Sequence, residues 1–265
     1  MYRFQPLIQF RRVSKKLENK LILKDISFDV YPNEIFGIIG PSGSGKTTLL
    51  RTLIGFYKLA EGEIIYNNIS ISHKIQMIKR VMGFASQDNC FYDELTATEN
   101  LVYFGKLHQM PYKIIKQNSE TLLKLVELYE AKDELAKNLS GGMRRRLDLA
   151  CALIHNPSIL IMDEPTEGLD PLLRNHMWHL IKTINSRGTT IIVSSHLLED
   201  IEHICTRVGI LSKGRLLIAG TPNQLKDLYS RNEEIHLETF PGRYNLIINR
   251  LYAAKLPISF YVNRG

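Results

Sequence analysis

The stretch "EIFGIIGPSGSGKTTLLRTLI", Glu34 to Ile54, limits what this chain can fold into more than any other. Glu34–Ile39 reads as a buried apolar strand, and Lys46–Ile54 as the helix that follows it. Between them Gly40, Pro41, Ser42, Gly43, Ser44, Gly45, Lys46 and Thr47 fit G-x-x-x-x-G-K-[ST], with Thr48 directly after. Glycines in such a loop let backbone N–H groups wrap phosphate oxygens, and the helix N-terminus adds partial positive charge. Lys46 is placed to reach the β- and γ-phosphates of a nucleotide, and Thr47 to offer its hydroxyl to Mg²⁺. A glycine-rich turn that binds nothing is the alternative, and the flanking strand and helix argue against it.

A phosphate loop also needs an acid to hold the metal. "SILIMD", Ser158 to Asp163, is a second apolar strand, so the Asp163 carboxylate emerges at the carboxyl edge of the sheet, where α/β ligands bind. Glu164 follows directly. One carboxylate can hold Mg²⁺ while its neighbour orients and polarises water for attack on the γ-phosphate.

Further strands are predicted at Val81–Ser86 and Thr189–Ser195, and a hairpin turned at Lys213-Gly214. Thr96 with Glu99, and Thr221-Pro222 with Gln224, cap two helices. Helices are also predicted over Tyr112–Leu128 and Arg144–Ile154. Another starts at Asp170-Pro171, with Leu173, Met177, Leu180, Ile181 and Ile184 on one face. Strand–helix alternation at both ends, with a helical stretch between Gln87 and Pro157, implies an α/β core carrying an inserted helical subdomain. From about Ser230 the chain can add a strand, a helix and a strand.

"LSGGMRRRLDLACALI", Leu139 to Ile154, fits none of these chemical roles by itself. Ser140, Gly141 and Gly142 stand at the mouth of a helix whose Leu147, Cys151 and Ile154 share an apolar face. Arg144 to Arg146 are expected to be solvated, the alternative being contact with phosphate or acidic neighbours.

Composition narrows the setting. The 265 residues are 44% hydrophobic and 23% charged, enough to bury a substantial core. No apolar run approaches the roughly 20 residues that cross a bilayer. The opening "MYRFQPLIQFRRV" is interrupted by charge too early for a signal peptide, so a cytosolic chain is expected. Cys90, Cys151 and Cys205 are scattered, which argues against a disulfide framework or a cysteine metal site. Cys151 is expected to be a small core residue. The net charge of +7 suits nucleic acid, an anionic membrane, a polyanionic ligand or simply a solvated basic surface, and excludes none of them.

"GPSGSGKT", Gln87 after a strand, "LSGGM", and "ILIMDEPTEGLD" with His196 beyond it occur in an order and spacing that resembles the nucleotide-binding subunit of ABC transporters. The likeness runs from about Leu7 to Tyr229. "LSGGMRRRLDLA", "EGLDP" and "SSHLLEDIE" look most like the ABC-2, export-type group.

The resemblance implies an α/β P-loop NTPase (RecA-like) core with an N-terminal antiparallel β subdomain and an inserted α-helical subdomain at about 88–156. It implies an ATPase domain over 1–229, and a 230–265 extension that would be a curtailed regulatory domain with "EEIHLETF" and "PISFYV" as its strands. By the same resemblance Gly40 to Thr48 form the Walker A loop and Asp163 is the Walker B metal ligand. Glu164 is then the catalytic base, Gln87 the Q-loop glutamine near Mg²⁺ and water, Asp170 part of the D-loop, and His196 the switch histidine.

Ser140, Gly141 and Gly142 would contact the nucleotide of a second copy, so that two chains clamp two ATP molecules head to tail. Partners implied are that second copy, or a paired ATPase subunit in its place, and a separate integral-membrane permease, with the chain peripheral at the cytoplasmic face; no direct nucleic-acid contact is expected. Two positions depart from the family pattern: Leu17 stands where an aromatic residue often stacks on adenine, and Met143 where glutamine is common. The competing readings are a soluble ABC ATPase acting on ribosomes or nucleic acid, an importer ATPase, and an inactive regulatory cassette, against which Glu164 and His196 argue.

Overall fold

Two-residue turns and period-two apolar patterns build the framework. The computed structural model describes residues 5–71, 74–88, 90–229 and 250. Its strands are β1 (Ile8–Leu17), β2 (Lys20–Val30), β3 (Ile35–Ile39), β4 (Glu61–Tyr66), β5 (Ile69–Ser70), β6 (Met82–Ala85), β7 (Ile159–Asp163), β8 (Thr190–Ser195), β9 (Arg207–Ser212) and β10 (Arg215–Gly220). The helices are α1 (Lys46–Leu53), α2 (Ile75–Lys79), α3 (Ala97–Leu107), α4 (Tyr112–Leu125), α5 (Gly141–Leu153), α6 (Pro171–Ser186), α7 (Leu198–Ile204) and α8 (Pro222–Tyr229). The chain divides into two units, Met1–Lys226 and Asp227–Gly265. The strands expected in "EEIHLETF" and "PISFYV" lie outside the described residues.

The antiparallel sheet has the order β2-β1-β4-β5 and the main sheet β10-β9-β3-β8-β7-β6. In the main sheet β9, β3, β8, β7 and β6 are parallel, with β10 antiparallel at one edge. Glu18-Asn19, Asn67-Asn68 and Lys213-Gly214 turn the three hairpins, each pair with positive φ. Such turns match the right-handed twist of the flanking strands. Only the last of the three was predicted from the sequence.

Successive side chains of the main strands face opposite layers. Ile159, Ile161 and Ile192 pack with Leu49 of α1 and with Phe10 and Ile26 of the antiparallel sheet. Leu160, Met162, Ile191 and Val193 pack on the other face with Leu147 of α5 and Ile181 of α6. Phe10, Phe28 and Phe36 stack at 4.1 and 5.0 Å between centroids and join the two sheets. Burial of each such side chain contributes roughly 1.5–3 kcal/mol.

Between β6 and β7 the chain is helical, running through α3, α4, a single tight turn at Ala136–Asn138, and α5. Thr96 and Glu99 form the reciprocal cap of α3, at 3.1 and 2.8 Å. Thr221 and Gln224 do the same for α8. Two helix boundaries differ from expectation by more than one residue. α5 begins at Gly141 rather than Arg144, because the Ser140 hydroxyl accepts the Met143 N–H at 3.3 Å and caps the glycines into the helix. α4 ends at Leu125 rather than Leu128, because Glu127 turns to φ 55° and the Leu128 N–H bonds back to Leu123 O. No helix among the described residues is long and apolar enough to cross a membrane.

Candidate active site

Parallel register decides which side chains meet. β8 lies between β3 and β7, pairing Ile39 with Ser195 and Asp163 with Ser194. The carboxyl ends of the three strands therefore finish side by side, and the Gly40–Thr48 loop, Asp163, Glu164 and His196 all leave from that edge.

The loop requires its glycines. A Cβ on Gly40 would lie 2.1 Å from the Leu211 backbone oxygen, and Gly45 sits at φ 109°. Gly45 provides no side-chain cap, so no side chain of the capping residue occupies the first N–H groups of α1. Pro41, Ser42 and Gly43 are exposed, while Ser44 and Lys46 are buried. Thr47 and Thr48 stand in the first turn of α1, both partly exposed. The Lys46 ammonium donates to Gly40 O at 2.7 Å and to Pro41 O at 3.4 Å.

Lys46 also reaches the acidic side of the site, where its Nζ lies 3.2 Å from Glu164 Oε1. The other oxygen of Glu164 accepts the His196 N–H at 3.1 Å and lies 2.9 Å from His196 Nδ1. Glu164 has φ 51°, a left-handed backbone costing roughly 1–2 kcal/mol for a residue with a Cβ. Such strain persists where neighbours over-determine it, and here Ser194 does so: its hydroxyl accepts the Glu164 N–H at 3.0 Å and donates to Asp163 Oδ1 at 2.6 Å. Asp163 Oδ2 is buried and has no hydrogen-bond partner among the described residues. A buried carboxylate oxygen free on one side suits a divalent cation.

Gln87 is not drawn into this cluster. Its side-chain amide donates to Glu167 Oε2 at 2.6 Å. Ser140, Gly141 and Gly142 form no hydrogen bond with the phosphate loop among the described residues; Gly141 is exposed, with nothing within 4 Å of its Cβ position. Asp170 caps α6 through the Leu173 N–H at 2.9 Å and is exposed. Leu17 ends β1, partly buried, beside the Glu18-Asn19 turn.

The three arginines after "LSGGM" are bonded rather than solvated. Arg144 pairs with Asp93 at 2.8 Å and lies over the Phe91 ring. Arg145 donates to Ser86 O at 3.0 Å and Gln87 O at 2.6 Å, and Arg146 to Val126 O and Glu127 Oε2. Arg144 also donates to Ala136 O at 3.0 Å, so each of the three guanidinium groups is held by a backbone carbonyl of another segment. Cys151 is buried as expected, and the described cysteines are free.

Ser194 was not singled out from the sequence, although the rule that found Asp163 at the end of "SILIMD" applies equally to the serines ending "TTIIVSS". Glu167 carries no local signal, since its partner is 80 residues away in the chain.

The assembled site can grip a nucleoside triphosphate, hold a metal beside it and align water. Comparisons with known proteins support the nucleotide-binding part of this reading. The family model described as "ABC transporter" matches residues 23–167. The Nod factor export ATP-binding protein I of Rhizobium sp. (strain N33) is 37% identical over 254 residues, covering 95% of this chain and 83% of that protein. The linearmycin resistance ATP-binding protein LnrL of Bacillus subtilis (strain 168) is 36% identical over 219 residues, covering 83% of this chain and 70% of its own. Among solved structures, cbiO1 from Clostridium perfringens, part of the ABC transporter complex cbiONQ, superposes with a TM-score of 0.77 at 24% identity. The match covers 95% of this chain and 99% of that one, a likeness that bears on fold alone. The chain belongs to the ABC transporter family, as an ATP-binding subunit that hydrolyses ATP.

Proposed function

We propose that this chain powers export through a separate membrane permease, working as a head-to-tail pair around two ATP molecules. The observation that carries the hydrolytic part is the convergence of Lys46 and His196, 150 residues apart, on the two oxygens of Glu164. A base held between a phosphate-binding cation and an imidazole is well placed to align water on a γ-phosphate. In this reading Lys46 and the N–H groups of Gly40 to Thr48 bind the phosphates and Glu164 accepts the proton of the attacking water. His196 donates toward the γ-phosphate. Thr47, Gln87 and Asp163 hold Mg²⁺, which offsets charge on the β- and γ-phosphates when bound. Gln87 reaches that role by leaving Glu167.

Subunits of this family work with membrane permeases and often dimerise. The open Gly141 at the start of α5 supports a dimer in which Ser140, Gly141 and Gly142 turn their N–H groups to the nucleotide of a second copy, with Asp170 at the same contact. An isologous pair follows. The permease would meet a cleft of about 290 Å³ lined by Ile54, Phe84, Phe104 and Cys151. Exposed Tyr92, Tyr103 and Leu107 supply further apolar surface on this helical side. In this reading the chain sits peripherally at the cytoplasmic face. The outward direction is supported by the Nod factor export relative. The region 88–156 would serve as the coupling subdomain of an ATPase domain over 1–229, with 230–265 as an extension.

The purified chain should release phosphate from Mg·ATP, at a specific activity that rises with protein concentration as the pair forms. Asp163→Asn should bind ATP and release none. A wild-type chain that binds ATP without turnover at any concentration would refute the proposal.

A further inference from the structure

The carboxylate of Asp200 has no part in the roles above, yet it is 1% exposed in α7. Burying an ionised carboxylate is costly unless its lone pairs are filled. Three side chains from three segments fill them. Thr166 Oγ1 and Ser195 Oγ each donate to Oδ2 at 2.6 Å, and Trp178 Nε1 donates to Oδ1 at 2.8 Å. Thr166 and Ser195 are themselves 1% exposed.

Each donor belongs to a segment that carries a site residue. Ser195 precedes His196, and its hydroxyl also accepts the Leu197 N–H at 3.0 Å, fixing the turn on which His196 stands. Thr166 lies in the turn between Glu164 and Asp170, and its carbonyl accepts the Leu169 N–H. Trp178 is in α6, the helix that Asp170 caps. On the outer side Arg174 of α6 reaches Glu199 of α7 at 3.0 Å and so closes the same joint from the surface.

We propose that Asp200 is a positioning residue for hydrolysis, tying the His196 turn and the Thr166–Asp170 turn into one unit so that neither can shift alone. The proposal rests on the roles assigned above to His196 and Asp170. Asp200 is buried, and its effect passes through Ser195 and Thr166. A fully satisfied buried network of this kind rigidifies what it joins.

Asp200→Asn tests it, because an amide nitrogen cannot accept the two hydroxyls that Oδ2 accepts. Expected are a fall in kcat of about tenfold or more and a KM for ATP within about twofold of wild type. Ser195→Ala should lower kcat in the same way, and the double variant should be no worse than Asp200→Asn, since both cut one network. Ile184→Ala, on the buried face of α6, lowers the melting temperature without touching the network and should leave kcat unchanged. Wild-type kcat in Asp200→Asn overturns the proposal, and so does a loss that Ile184→Ala reproduces.

Hydrogen exchange reads the same claim without turnover. Asp200→Asn should speed exchange at 166–170 and at 195–197 together, leaving 40–48 as in wild type. Faster exchange in one segment alone overturns the proposal even if activity falls. Coupled exchange in a chain that never hydrolyses ATP would instead sink the assigned function and leave the Asp200 joint standing.

Discussion

Lys46 Nζ lies 3.2 Å from Glu164 Oε1, with the two side chains 7% and 9% exposed. The loop lysine and the proposed base are therefore partners, and a γ-phosphate must compete with Glu164 for the ammonium. Breaking a buried pair from one side leaves a charge without compensation and costs about 3 kcal/mol or more. Lys46→Ala should thus lose stability to urea by an amount of that order, bind ATP at least about tenfold more weakly and release no phosphate. Unchanged ATP affinity in a nucleotide titration would remove Lys46 from the site.

Ser194 holds the acids from behind. It is fully buried, donates to Asp163 Oδ1 and accepts the Glu164 N–H. Ser194→Ala orphans both groups, at about 1–3 kcal/mol for each buried unsatisfied partner. The expected result is a lower urea midpoint together with a reduced kcat and little change in KM. A variant as stable and as active as wild type would show that strand geometry alone holds the two carboxylates.

Ser140→Arg places a bulky cation where α5 begins with the exposed Gly141. Among the described residues no hydrogen bond joins Ser140 to its own chain's phosphate loop, so initial ATP binding should remain within about twofold of wild type. The dependence of hydrolysis on protein concentration should vanish, because the changed surface serves the second copy. Loss of ATP binding by the isolated chain would contradict that division of labour.

Two groups in one cleft titrate in opposite senses. Burial pushes the Asp148 carboxyl up from 3.8 to about 6, the Cys90 N–H and Arg145 offsetting only part of this. Asp148 therefore binds a proton more readily folded than unfolded, and stability falls as pH rises from about 4 to about 6. Burial, with His108 stacked at 3.7 Å, pushes His155 down from 6.5 to about 4, so stability falls as pH drops through that interval. The two trends partly cancel in the wild type. Asp148→Asn should gain up to about 3 kcal/mol at pH 8, a gain that disappears near pH 3 to 4. Equal gains at pH 4 and pH 8, measured by denaturant melts, would contradict the assignment.

Local chemistry was the legible part of this chain. A glycine-rich loop between an apolar strand and a helix, and acids ending another apolar strand, declare themselves because strand–loop–helix geometry is set by nearby residues. Asp170 and the Thr96–Glu99 cap were readable for the same reason. Contacts between distant segments were not. That Ser194 lies beside Asp163 depends on the register of β8 against β7, and that Gln87 bonds to Glu167 depends on which loops the sheet order brings together. Arg144 to Arg146 read as solvated because charge on a helix usually is, whereas their partners come from other segments of the chain. Asp200 did leave a trace. It is an acid on the same helix face as buried Ile201 and Ile204, a pattern that asks for buried donors without naming them.

Glu164→Gln tests the central claim most directly. The amide keeps the shape of the side chain but cannot take the proton of the attacking water. Phosphate release from Mg·ATP, followed alongside the sedimentation of the chain, should fall by at least about a hundredfold, while ATP, and not ADP, holds the variant as a stable dimer. Turnover at the wild-type rate would contradict the account, and so would an ATP-bound variant that stays monomeric.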